Sequence, residues 1–224
     1  MKRRRLVFLL GAALLDTAAS AQVPPSTSEL ANYAGLHKAA ADGDLGSIKS
    51  NLADGANVNG RDAMGRTPFH VAAYQKQRDA MRALAKAGAD VNALEHQAYD
   101  AVTIAAVADD VETLKVAIAL GNKASNVTSP YDGTALIAAA HLGHDEVVRL
   151  LIAAGAPLDH VNNLGWTALI EAVILGDGGP RHQKIVSYLL KAGADRAIAD
   201  RGGATPLAHA RQRGYAEIAT LLEN

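Results

Sequence analysis

The residues best able to do chemistry in this chain are its eight histidines, because it has no cysteine and therefore no thiol nucleophile, disulfide or thiolate zinc ligand. His141 and His144, with Asp145 beside the second, form a His-x-x-His spacing that can turn two imidazoles toward zinc on one helix face. Gly143 breaks that face, which favours two ordinary histidines over a metal site. His96, Tyr131 and His141 together carry the alternative reading of the chain, haem or metal handling in support of an envelope or oxidative-stress enzyme. A further candidate is the stretch Gly176, Asp177, Gly178, Gly179, Pro180, Arg181 and His182. Glycine amides beside Arg181 could hold an anion, but no Lys-Ser or Lys-Thr follows, so the segment reads better as a long turn that shows Arg181 and His182 to a partner. There is no GxSxG, SxxK, HExxH or GxxxxGK motif. A non-enzymatic protein is expected, with no catalytic residue, metal or cofactor.

The elements that would position these residues recur. Glycine before a small residue returns at Gly55, Gly88, Gly121, Gly155 and Gly193, and a threonine-like position returns in step at Ala34, Thr67, Asp100, Thr134, Thr167 and Thr205. Two independent markers with a common period of about 33 residues identify a repeat protein. Within a unit, Thr67 reads as an N-cap and Pro68 as the first helical residue, where a missing N–H is no loss. The run Val147, Val148, Arg149, Leu150, Leu151 gives a second helix with an apolar stripe, closed by a left-handed residue at Gly155. The fifth unit carries five extra residues, which the markers place between its helices.

The segments TPFH (67–70), GAD (88–90), VN (91–92) and GHDEVVRLL (143–151) resemble the ankyrin repeat, and the similarity runs from Glu29 to Asn224. The resemblance implies an all-α solenoid of helix-turn-helix units joined by projecting turns, in six units: 29–61, 62–94, 95–128, 129–161, 162–199 and 200–224. The end units depart from the pattern as caps do. The third departs inside the array, with Ala98 for the turn glycine, Ala101 for the proline, and Asn122 and Lys123 after Gly121. It is expected to be the weakest unit, with residues 95–128 opening earlier than residues 129–161. His37 and His70 fall where the family's histidine hydrogen-bonds within and between turns. ILGDGGPRH (174–182) resembles an insertion found in many bacterial ankyrin-repeat proteins of the secreted or periplasmic kind.

A different kind of sequence precedes the repeats. Lys2 to Arg5 lead into the apolar run Leu6–Leu15, and Ala19 and Ala21 supply small residues, the pattern of a secretory signal cut after Ala21. The apolar run is too short for a permanent membrane span. Residues 22–28, with Pro24 and Pro25, then form a short free leader, and the product is periplasmic or secreted. Residues 1–21 take with them Lys2, Arg3, Arg4, Arg5 and Asp16, so 22 basic and 23 acidic residues become 18 and 22. An acidic chain without basic clusters is a poor partner for nucleic acid.

The expected partner is another protein, bound by a monomer. In the ankyrin pattern the projecting turns and the ends of the first helices line one concave face. The residue before the threonine-like position is Arg66, Tyr99 or Trp166 in three units. Tyr74, His141 and Leu142 occupy first-helix ends, while Met64, His96, Tyr131 and Leu164 lie in the turns. With Arg181 and His182 of the insertion, these are the candidate contacts, and exposed Tyr99 and Trp166 are the expected anchors, since large rings and arginine dominate interface hot spots.

Overall fold

The computed structural model describes residues 22–224, so the expected signal peptide and its cleavage site lie outside the described residues. A short helix, α1 (Thr27–Asn32), precedes six antiparallel pairs: α2 (Gly35–Asp42) with α3 (Leu45–Ala53), α4 (Pro68–Tyr74) with α5 (Arg78–Lys86), α6 (Ala101–Val107) with α7 (Val111–Ala119), α8 (Ala135–Leu142) with α9 (Asp145–Ala153), α10 (Ala168–Ile174) with α11 (Pro180–Ala192), and α12 (Pro206–Arg213) with α13 (Ala216–Glu223). Each first helix packs on the next first helix and each second on the next second, giving a two-layered solenoid. No strand occurs among the described residues, and no helix there is long and apolar enough to cross a membrane.

Local chemistry explains the repetition. The side chains of Thr67, Asp100, Thr134, Thr167 and Thr205 each accept from the amide three residues on, satisfying a helix-start donor that has no intrahelical partner. Gly88 and Gly155 sit at φ +92° and +80°, a left-handed conformation that ends the second helices without a Cβ clash. Fully buried Ala72, Ala105, Ala139 and Ala172 let first helices approach closely, and Leu84, Leu114, Leu151 and Leu189 fill the space between layers. Each unit thus buries its apolar stripe only against its neighbours, so stability is shared along the stack.

His70 behaves as the sequence implies: Nδ1 accepts from the Thr67 amide at 3.1 Å and Nε2 donates to Ala93 O at 2.9 Å. His37 Nε2 likewise meets Arg66 O at 3.1 Å. The third unit has no histidine there and replaces the tie with amides. Asn122 accepts from the Val102 amide at 2.8 Å and donates to Asp100 at 2.8 Å, and Asn126 donates to the same carboxylate at 2.9 Å.

Two segments differ from the sequence expectation. The leader is not free: Pro25 is buried, and Ser26 and Glu29 form a reciprocal capping box that starts a helix at Thr27. The insertion is only partly a loop. Gly179 caps and Pro180 opens α11, whose 13 residues already include Arg181 and His182. The loop itself is pinned from both sides, since a Cβ on Gly176 would meet Ala172 O at 2.1 Å and one on Gly178 would meet the Tyr215 ring at 2.5 Å.

Candidate protein-binding face

Five turns project from the stack, and each is built around one polar side chain at its first residue. Asp62 accepts from the amides of Met64 (2.9 Å) and Arg66 (2.8 Å), Glu95 from those of Gln97 (3.0 Å) and Tyr99 (3.1 Å), and Asn162 from those of Leu164 (3.0 Å) and Trp166 (3.0 Å). Ser129 and Asp200 do the same in their turns. Such side-chain acceptance two and four residues ahead fixes a tight turn without secondary structure. Backbone bonds then tie turn tips together: His96 N to Met64 O (3.0 Å), Ser129 N to Ala98 O (3.0 Å) and Asn163 N to Tyr131 O (2.9 Å).

Against the inner side of these turns, the third, fourth and fifth units enclose a cavity of about 320 Å³. Six of the candidate residues converge on it: Tyr99, Tyr131, His141, Leu142, Leu164 and Trp166. Val107, Ile137 and Leu175 make its helical wall predominantly apolar. One carboxyl interrupts that wall. Glu171, in the middle of α10, is buried, and its Oε1 accepts from Asn162 Nδ2 at 2.8 Å. Its Oε2 is 3.8 Å from His141 Nδ1. The two are close enough to pair if both were charged, yet each is pushed toward its neutral form. Burial raises the Glu171 carboxyl to about 8 against the pull of the Asn162 hydrogen bond. Burial, with His182 and His144 nearby, lowers His141.

The family profile described as "Ankyrin repeats (3 copies)" matches residues 14–95 and 102–200. The chain belongs to the ankyrin-repeat family. Among curated relatives, the ankyrin repeat protein YahD of Escherichia coli K12 is 37% identical over 185 residues, covering 82% of this chain and 92% of YahD. Among solved structures, the ankyrin repeat domain ABAYE2397 of Acinetobacter baumannii AYE is 46% identical with a TM-score of 0.79, covering 84% of this chain and 95% of that one. A complex of the predatory endopeptidase Bd0816 of Bdellovibrio bacteriovorus with immunity protein Bd3460 contains a match at 23% identity and TM-score 0.71, over 85% of this chain and 97% of that one. That likeness is one of fold.

Seen as ankyrin positions, several candidate contacts do other work. Arg66 is 1% exposed, not a projecting contact. Its guanidinium donates to Asp62 at 2.7 Å and also binds Glu29, while Tyr33 donates to Asp62 at 2.6 Å. Burial opposes the charge of Arg66, but the bonds from Asp62 and Glu29 outweigh it and raise its pKa. The reason is local: the second turn begins with a carboxylate and the capping helix brings another, so the arginine turns inward.

Tyr99 is 4% exposed and forms cavity wall, not an exposed anchor. Burial, then Glu95 and Tyr131, push its hydroxyl up to about 12. His182 is buried, donating from Nε2 to His141 O at 3.1 Å with Nδ1 2.8 Å from Asp177. Arg181 is exposed on a different side, facing Asp109 and Asp145 at 3.7 and 3.9 Å. Tyr74 and Met64 are half-buried in the second unit, and His96 is exposed against Gly65. His96 does not join His141 in the cavity. Among the described residues no group of three potential metal-binding side chains occurs.

The cavity also contains residues that the sequence reading overlooked. Glu171 had a signal: it is the one charged residue in ALIEAVI, at the position where Val71, Ile104 and Ala138 stand in other units. Asn162 had a weaker one, as the amide in a row otherwise of Asp62, Glu95, Ser129 and Asp200. Gln22 had none, because its place in the cavity depends on the path of the leader.

Proposed function

We propose that this chain is a non-enzymatic protein-binding module that grips another protein across the concave side of its second to fifth units, working outside the cytoplasm after removal of residues 1–21. The observation that carries the reading is the convergence of Tyr131, His141, Leu142, Leu164 and Trp166 on one apolar cavity at the turns. Partly exposed large rings over a concavity are the usual anchors of an interface, whereas rim charges contribute little. Arg66 and His182 are stabilising residues in this reading, and Tyr99 forms part of the cavity wall. The acidic balance of the chain favours a protein over a nucleic acid.

Among adaptor, scaffold and inhibitor, the Bdellovibrio complex lends the inhibitor some support, because there an immunity protein is bound to an endopeptidase. The test is recovery of the protein from its native envelope with whatever it holds. Intact mass should place the N-terminus at Gln22, and Trp166→Ala should weaken capture of the co-purifying protein at least tenfold with helix content unchanged. A full-length cytoplasmic species would refute the export claim, and undiminished capture by the alanine variant would refute the face.

A further inference from the structure

The cavity holds one carboxyl in an apolar wall, and its two oxygens differ. Oε1 of Glu171 is engaged by Asn162, while Oε2 has no hydrogen bond from any described residue and belongs to a side chain that lines the cavity. Among the described residues Glu171 is the only acidic group on the lining, and there is no basic side chain other than His141, which burial keeps toward neutral. A carboxyl so placed gives up its proton readily only when a cation comes to pair with it. The leader provides an independent observation. Gln22, in the non-helical segment ahead of α1, reaches the same cavity, and its side-chain Nε2 is buried without a hydrogen-bond partner among the described residues. A non-helical segment can therefore bring a donor-tipped side chain into this space.

Resting on the binding face argued above, we propose that the cavity accepts a lysine side chain from an extended segment of the partner protein, with the ammonium on Glu171 Oε2 and the methylene stem along Ile137, Leu142 and Leu175. The apolar wall suits four methylenes, and Tyr131 and Trp166 line the same space, where aromatic rings can attract a cation. Lysine fits better than arginine because Asn162 already holds Oε1. A guanidinium takes both carboxylate oxygens as a fork, whereas an ammonium is a point charge that needs one. Gln22 then marks the path along which the partner's segment must displace the leader.

The probes are small and need no partner: n-butylammonium for the lysine side chain, n-butylguanidinium for arginine, and n-butanol as the neutral analogue. The chain has a single tryptophan, so the fluorescence and indole N–H resonance of Trp166 report on the cavity directly. Titrated into the full chain at pH 8, n-butylammonium should half-saturate at a concentration at least tenfold below n-butanol and below n-butylguanidinium. Glu171→Gln should bring the ammonium-to-butanol ratio close to one while helix content is kept. Equal concentrations for ammonium and alcohol in the natural chain, tighter binding of the guanidinium, or no response to either would overturn the proposal. The natural chain alone decides these outcomes, whatever the stability of the variant. Partner capture by Trp166→Ala tests the face, and the probe ratio tests the lysine, so one can fail without the other.

Discussion

Arg66 and Trp166 occupy the same place in their units, one residue before the helix-capping threonine and four after the polar residue that builds the turn. One is locked inside the molecule and the other lies over a cavity. The backbone holds both in the same way, so the difference comes from their neighbours. Beside Arg66 the turn opens with a carboxylate, and α1 and the residue that caps its end add Glu29 and Tyr33, so the side chain closes the seam between the capping helix and the second unit. Beside Trp166 the turn opens with the neutral Asn162, whose amide is spent on Glu171, and nothing draws the ring inward. A repeated position guarantees a direction for the chain. Chemistry from adjoining units decides whether the residue serves stability or recognition.

The sharpest way to break the contrast is Arg66→Ala. Removing the cation strands Asp62, and breaking such a buried pair costs about 3 kcal/mol. A urea titration should show that loss while partner capture per folded molecule is unchanged. Loss of capture without loss of stability would put Arg66 back on the binding face.

Glu171 tests the other side through pH. Its folded pKa, about 8, lies above the ordinary 4.5, so the folded state holds a proton that the unfolded state releases between those values. Its contribution to stability is complete below about pH 4.5 and is lost as pH rises through 8, with a slope of at most about 1.4 kcal/mol per unit. His141 works in the opposite sense, since its depressed pKa costs stability as pH falls below the ordinary histidine range. The stability difference between the natural chain and Glu171→Gln isolates the carboxyl, and it should move in favour of the glutamine variant from pH 5 to pH 8. A difference that stays flat would mean that Glu171 is solvated.

The smallest effect sharpens the comparison at the turn itself. The residue two before the cap is Gly65, Gly165 and Gly203 in three units, all at φ between +75° and +87°, and Ala98 holds φ +60° in the third. A left-handed alanine is strained by about 1–2 kcal/mol, partly offset by the greater freedom of glycine in the unfolded chain. Ala98→Gly should raise the melting temperature by about 2 °C, corresponding to about 0.5–1 kcal/mol. No change would mean that the Asn122–Asp100–Asn126 network, rather than the turn, governs the third unit.

The solenoid was legible because caps and glycines act locally: Thr67 with Pro68 and Gly88 state a helix start and a helix end within one unit. The site was legible only as a face. Spacing put Tyr131, His141, Leu142, Leu164 and Trp166 on the same side, and they do meet, yet it could not say that Arg66 would find Glu29, 37 residues earlier, or that His182 would reach back to His141. Those partners lie in other units, and burial of a charged side chain depends on them. Tyr99 was misread for the same reason: an aromatic at a turn is exposed only if its neighbours leave it so.

The bonds from His96 to Met64, Ser129 to Ala98 and Asn163 to Tyr131 run from tip to tip along the second to fifth units, and the Arg201 side chain carries the link onward to Asn163 O at 2.6 Å. Mechanically the tips are the teeth of a comb with a fixed pitch. A load placed on one tooth passes along main-chain amides instead of bending it, so whatever seats there must bring matching spacing of its own and cannot draw two teeth together to suit itself.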